Sequence, residues 1–504
     1  MTVKRFRLIS SIFISTLSIN SAMALPIDWT GTFGVDTHTI SNTCRTSDDV
    51  TGKFDSTGVP QNTGTQGISG KCGANFQTYI FKLNPQIIVN DGVTLKGELS
   101  SGYLRGGFAG GEGGNNEGGA SGNNSYFFTS PAQRSALNVN QMYMELYADT
   151  ALVKIGRMSK HYGLGIMWDA GNDPWDRFFT MYDGIEAEMK ISNFSITPYY
   201  AKISSYKDDN ASGSSASGEY DVREMGITAK YDNKNRDLVA SVLYAKRSSE
   251  KKNELYRAND GTTPGTNTAA TLRGKTDVTV IEPYISKKWN KFKVAFEASL
   301  QTGDYGDVYK DGTGDSKLAA NAYILEAKYD LNPKWDVGFT GGQVSGDKGD
   351  TSKFEATYLH PNYHVADLMF RYNYAGFTEG GRSVFDSSIM NTRFYKLHAN
   401  YKTDKWVWKG AFIMATAMET SESGKRSYHH EENYRFTNGG KKQDNDLGME
   451  FDFGFDYKWN PNVTISGYYG YWKVGDYYAF SNDPANDLSV SSVHGGGLRA
   501  TLEF

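Results

Sequence analysis

The chain has 504 residues, 14% of them aromatic, with a formal charge of −4 and a mean hydropathy of −0.54. Beyond the first two dozen residues no apolar run approaches the roughly 18 consecutive residues of a spanning helix, which excludes a helical membrane protein. Lys and Arg form no basic block, so nucleic acid is not an expected partner, and 33 Tyr, 27 Phe and 55 Gly against 12 Pro favour strands joined by glycine-bearing loops.

Lys4, Arg5 and Arg7 precede an apolar stretch from Leu8 to Ile19, and Ala22-Met23-Ala24 supplies the small residues of a signal-peptidase site. The expected organisation is therefore a cleaved leader over 1–24 and a single unit over 25–504. Export puts Cys44 and Cys72, the only two cysteines, in an oxidising space. A disulfide between them is expected to tie off the first long loop. Two thiols without partners at ligand spacing make zinc an unsupported reading, and no cofactor is expected.

From Trp29 onward one rhythm repeats. Trp29, Gly31, Phe33 and Val35 alternate with Thr30, Thr32, Gly34 and Asp36. Val93 to Ser100, Phe292 to Gln301, Trp335 to Thr340 and Leu447 to Lys458 alternate in the same way. Successive strand side chains point to opposite faces, so each segment has one lipid-compatible face and one polar face. Short turns at Tyr231–Asn235, Trp289–Lys291, Tyr329–Trp335, Tyr401–Trp406 and Tyr457–Asn462 set aromatics beside Asn, Asp or Pro. Such residues favour tight reversals, and Tyr and Trp favour a bilayer interface.

Long polar loops alternate with these turns, near Arg105 to Gln133, Ser204 to Tyr220, Arg247 to Lys275, Thr302 to Lys317, Phe377 to Asn391, Thr420 to Asp446 and Gly475 to Val490. Short turns on one side and long loops on the other predict an all-β fold, a large antiparallel transmembrane β-barrel of roughly 18 strands, within 16–20. The least defined strand pair flanks His360-Pro361-Asn362.

A barrel this wide is expected to enclose water. Its inward faces carry Lys96, Glu98, Lys293, Glu297, Glu326, Lys328, Lys396, His398, Glu450, Asp452 and Arg499, charges that water would stabilise. Both signs are present, so weak ion selectivity is expected.

The chain ends in an alternating strand, Leu498, Ala500, Leu502 and Phe504 on one face, and a terminal Phe of this kind resembles the C-terminal signal of bacterial outer-membrane barrels. That resemblance implies recognition by the barrel-assembly machinery through the last strand, a bacterial outer-membrane location and contact with outer-membrane lipid. Gly156-Arg157 leads into an aromatic and glycine-rich segment that reaches Trp168-Asp169-Ala170-Gly171-Asn172-Asp173-Pro174-Trp175-Asp176-Arg177. It resembles the loop after the fifth strand of porins, which narrows the channel, and the matching stretch of alginate-export-type barrels. The resemblance makes Arg157, His161, Asp169, Asp173, Asp176 and Arg177 candidates for a constriction.

The expected function is a porin for passive diffusion of small hydrophilic solutes and ions, as a monomer or a homotrimer. The alternatives are a substrate-specific channel or exporter and a structural or adhesive barrel. An enzyme is not expected, because the eight histidines stand in no catalytic signature and no Gly-x-Ser-x-Gly elbow occurs. A TonB-dependent transporter would need a plug ahead of its first strand. His429-His430 beside Glu431-Glu432 reads as a solvated charge run rather than a metal site, and Asp304, Asp307, Asp311 and Asp315 depart from calcium-loop spacing.

Overall fold

The computed structural model describes residues 27–42, 46–47, 73–101, 105–108, 137–207, 219–249, 276–306, 308–309, 316–372, 388–430, 434–480, 482 and 488–504. The predicted leader, Cys44, Cys72, Asp307, Asp311, Asp315, Glu431 and Glu432 lie outside these residues.

Eighteen long strands make the wall. They are β1 (Ile27–Ser41), β2 (Gly73–Asn90), β3 (Val93–Ser101), β4 (Leu137–Tyr147), β5 (Ala151–Ser159), β6 (Met181–Ile191), β7 (Phe194–Lys207), β8 (Glu219–Asn233) and β9 (Leu238–Ser249). The second half comprises β10 (Thr276–Trp289), β11 (Phe292–Tyr305), β12 (Lys317–Asn332), β13 (Trp335–Val344), β14 (Thr392–Lys402), β15 (Trp406–Ala417), β16 (Asp446–Lys458), β17 (Val463–Val474) and β18 (Val493–Glu503). Each pairs antiparallel with the next, and β1 also pairs with β18, Phe33 standing opposite Leu502. At the seam Gly31 and Phe504 exchange backbone hydrogen bonds of 2.8 and 3.1 Å. Closure leaves no sheet edge, which is what a strand-built protein needs in lipid.

The outward face is apolar along strand after strand: Phe33, Val35, Ile155, Ile185, Tyr200, Met225, Ile227, Leu397, Phe451, Phe453 and Leu498 are all exposed. Around the short turns stands a ring of aromatics, with Trp335 and Tyr401 rings 4.8 Å apart, Trp406 and Tyr457 4.5 Å, and Phe194 and Tyr231 4.8 Å. This belt and girdle make the fold a transmembrane β-barrel, with the short-turn end on the periplasmic side of an outer membrane.

The interior departs from the expected open water column. Inward residues Ile40, Ile324, Phe394, Ile413 and Trp472 pack with Leu359, Leu368, Met369 and Tyr372 in one buried apolar cluster. The latter four belong to the segment between β13 and β14, of which residues 359–372 fold into the lumen. The expected strand pair around His360-Pro361-Asn362 is therefore replaced by a lumen loop. Its regular pairing among the described residues is limited to Lys353–Phe354 beside β12 and a bridge between Tyr358 and Met390.

Candidate channel constriction

Two loops narrow the lumen. Loop A (160–180) follows β5, and its course depends on left-handed backbone at Gly163 and Gly171, where φ is +57° and +67°. A side chain at Gly171 would also run into the Arg105 guanidinium. The wall holds loop A at several points. Glu297 accepts the Leu164 N–H, and Trp175 Nε1 donates to Thr501 Oγ1 at 2.7 Å. Lys82 Nζ donates to the Asp173 carbonyl at 2.7 Å, and Arg177 Nη2 donates to Thr78 Oγ1 at 2.6 Å. Arg105, bound by both Glu98 oxygens at 2.7 and 2.8 Å, donates to the Gly171 carbonyl at 2.8 Å.

Loop B, described over 345–372 and 388–391, is held by carboxylates on β16. Glu450 accepts the N–H groups of Leu368 and Met369 at 2.7 and 2.6 Å, and Asp452 accepts that of Asp367 at 3.2 Å. Tyr363 donates to Glu326 at 2.8 Å. Near the seam, His38 Nδ1 lies 2.9 Å from the Tyr372 hydroxyl and 2.6 Å from that of Tyr468, while its other nitrogen meets Asp36 at 2.8 Å.

The two loops join each other. Asn362 Nδ2 donates to Asp169 Oδ1 at 3.0 Å and to the Phe178 carbonyl at 2.8 Å, and the His360 N–H donates to the Ile166 carbonyl at 2.7 Å. His161 Nδ1 faces Asp169 Oδ2 at 3.4 Å. Burial works to raise Asp169, but hydrogen bonds from His161, Asn362 and the Gly171 N–H outweigh it and hold the carboxyl at about 2. The same bond to Asp169 raises His161 above its ordinary value, against burial. Burial lifts Asp176 to about 6 and lowers His360 to about 4.

Between loop B and the wall lies a cavity of about 400 Å³ lined by Arg371, Lys396, Lys409 and Arg499 and by Glu326, Asp367, Asp452 and Asp456. Lys409 pairs with Asp456 at 2.6 Å and Arg371 with Asp367 at 3.5 Å. The Arg499 guanidinium stacks 4.2 Å from the Trp175 ring and reaches Asp36 at 3.5 Å.

All the predicted pore-lining residues face the lumen, but not all face water. Glu98, Glu297 and Glu450 are buried and engaged in holding the loops: Glu297 and Glu450 accept loop backbone N–H groups, which need acceptors on the wall, and Glu98 holds Arg105. Lys96 is tied to Glu145 at 3.0 Å, and Lys293 stands opposite Lys328 near the periplasmic turns. Glu326, Lys396, Asp452 and Arg499 line the cavity, as does His398.

Of the constriction candidates, His161, Asp169, Asp173, Asp176 and Arg177 belong to loop A. Arg157 does not. It shares its strand face with exposed Ile155, while Met158 on the other face is buried, so the side chain points outward and pairs with Asp183 at 2.8 Å.

His430 also departs from the sequence reading of a solvated run. It is buried, and its Nε2 accepts the Asp347 N–H at 2.8 Å. Asp304 pairs with Lys317, and the described residues contain no cluster fit for a metal. Sequence reasoning passed over Asp36, His38, Lys82, Arg105, Arg371 and Tyr372. The first two lie on β1, where strand parity placed Asp36 on the inward face.

No family model matches the chain, and neither does any curated protein. Among solved structures the chain is similar to OccK2 (OpdF) of Pseudomonas aeruginosa in complex with glucuronate, at 9% identity and a TM-score of 0.46, covering 95% of this chain and 98% of that one. It is also similar to OccK5 (OpdH) of the same organism, at 11% identity and a TM-score of 0.44, over 95% and 98% of the two chains. A third is OmpT, an outer membrane protein of Vibrio cholerae, at 11% identity and a TM-score of 0.35, over 95% and 97%.

Proposed function

We propose that the chain is an outer-membrane channel of restricted bore, selective for small charged hydrophilic solutes, rather than a wide pore for general diffusion. The observation that carries this reading is the pair of inward loops, tied together through Asn362 and Asp169, with a charged cavity of about 400 Å³ between loop B and the wall. A cavity of a few hundred Å³ accepts a solute of metabolite size.

Cations and carboxylates face that cavity in equal number. They would exchange hydration for direct contact with either end of a charged solute, which favours saturable passage over free diffusion. The surrounding lipid, and the assembly machinery acting on the β18 terminus, complete the proposed partners.

Liposome swelling with solutes of graded size tests the proposal. Uptake that favours charged solutes over neutral sugars of equal mass supports it. Uptake that depends on size alone returns the protein to the general porins.

A further inference from the structure

The outer wall is not evenly filled. On β13, β14 and β15 the strand register sets Val337 beside Ala399 and Ala399 beside Gly410, on the same outward face as exposed Leu397. Two residues nearer the long loops the same strands carry Phe339, Leu397 and Phe412, and two residues nearer the short turns they carry Trp335, Tyr401 and Trp408. Tyr329 of β12 stands beside Val337 and closes one end of the row. Small side chains between ridges of large ones leave an apolar trough of about 560 Å³ in the lipid-facing wall. A Cβ placed on Gly410 would meet no atom within 4 Å.

The trough lies one step above the aromatic ring, in the periplasmic half of the apolar belt. Beneath it the charge is one-sided. Segments 287–293, 328–336, 402–409 and 456–462, at the short-turn ends of β10 to β17, carry ten lysines against four aspartates, and all four segments lie within the described residues. Three of the aspartates are engaged by lysines of the inner face. Lys402 pairs with Asp336, Lys328 lies 3.7 Å from Asp330 and 3.5 Å from Asp336, and Lys409 pairs with Asp456. Within these segments Asp404 is left to the outer rim, against Lys287, Lys291, Lys334 and Lys405. Lys287 and Lys291 donate to the carbonyls of Arg236 and Leu331. Lys334 and Lys405 are exposed and pair with no carboxylate among the described residues.

We infer that Lys334 and Lys405 hold the phosphate of an anionic phospholipid of the periplasmic leaflet, one of whose acyl chains fills the trough. The two lysines precede β13 and β15 with β14 between them, so their backbones stand about 10 Å apart, a gap that two flexible four-carbon stems close around one phosphate. Each lysine at such a surface adds attraction for an anionic headgroup. A chain seated in the hollow restores dispersion contacts that the row of small side chains lacks. Free phosphate would use the lysines and leave the trough unfilled. A second copy of the barrel docked on this face would bring the lysines toward their own counterparts, so charge favours the lipid.

The test is titration of the full-length barrel, refolded in neutral detergent, with phosphatidylglycerol and with zwitterionic phosphatidylcholine. Bound lipid is counted by native mass spectrometry. Saturable binding of phosphatidylglycerol is expected, with Lys334→Gln/Lys405→Gln weakening it about thirtyfold, from roughly fivefold for each lysine near a charged surface. Lys190→Gln/Lys234→Gln, which removes two exposed lysines from other short turns, is expected to bind as wild type does. Gly410→Leu fills the trough and is expected to weaken both lipids by the same factor. Heat-modifiable gel migration verifies that each variant is folded. Equal binding of the two lipids, equal loss from the two double variants, unchanged binding by Gly410→Leu, or inorganic phosphate displacing phosphatidylglycerol at equal concentration would overturn the inference. So would a dimer that Gly410→Leu dissociates, which assigns the trough to a second copy.

Discussion

The side-chain amide of Asn362 donates to the Asp169 carboxylate at 3.0 Å, joining two lumen loops across 193 residues of sequence. The same amide group donates to the Phe178 carbonyl and its oxygen accepts the Phe178 N–H at 3.3 Å. One side chain therefore supplies most of the polar contact between the loops. Asn362→Ala leaves Asp169 and the Phe178 backbone short of partners, a loss of about 1–3 kcal/mol from the closed arrangement. Single-channel recordings are expected to show larger and noisier steps than wild type.

Glu450 holds loop B by two backbone N–H groups at once. Glu450→Ala buries both donors without an acceptor, at a cost of roughly 2–5 kcal/mol. Because barrel closure does not depend on these bonds, the expected outcome is release of the loop with the wall intact. Limited proteolysis is predicted to cut between 345 and 391 in the variant, while heat-modifiable migration stays as in wild type.

Arg105 is buried, and Glu98 is its carboxylate partner. Removing one member of a buried ion pair costs about 3–5 kcal/mol, because the other charge stays behind in a poorly solvating place. Glu98→Ala is expected to lower the unfolding temperature, and Glu98→Ala/Arg105→Met to recover much of the loss. Thermal melts followed by circular dichroism distinguish the two.

The His161 and Asp169 pair makes loop A sensitive to pH. Asp169 sits at about 2 in the fold against a usual value near 3.9, so its contribution is present above about pH 4 and lost as pH falls toward 2. His161 is raised above 6.5, so its contribution is full below that value and lost as pH climbs through its folded pKa. The wild type is therefore expected to protect the amides of 160–180 more than His161→Gln does between about pH 4 and 6.5. Hydrogen exchange measured across this range is predicted to show the difference shrinking above it.

The wall was legible in the sequence because a period of two is plain in strands such as those at Trp29, Val93, Phe292, Trp335 and Leu447, and a closed barrel is the arrangement that gives both faces their solvent. Loop A was legible through its resemblance to the inward loop of porins, carried by Gly156-Arg157 and by Trp168 to Arg177. Loop B was not. Leu359, Leu368 and Met369 have no period, and they enter the lumen because Glu450, which read as water-facing, accepts the N–H groups of Leu368 and Met369 and Glu326 accepts the Tyr363 hydroxyl. Arg157 was misplaced for a different reason. The resemblance groups Arg157, at the end of its strand, with the constriction, although its parity with Val153 and Ile155 puts Arg157 on the lipid side.

Single-channel conductance of the refolded wild type in planar bilayers, compared with Asn362→Ala, tests the restricted bore most directly. Small, discrete wild-type steps that enlarge when the tie between Asn362 and Asp169 is removed are the predicted result. Wide-pore steps that the substitution leaves unchanged, or silence from both folded proteins, would contradict it.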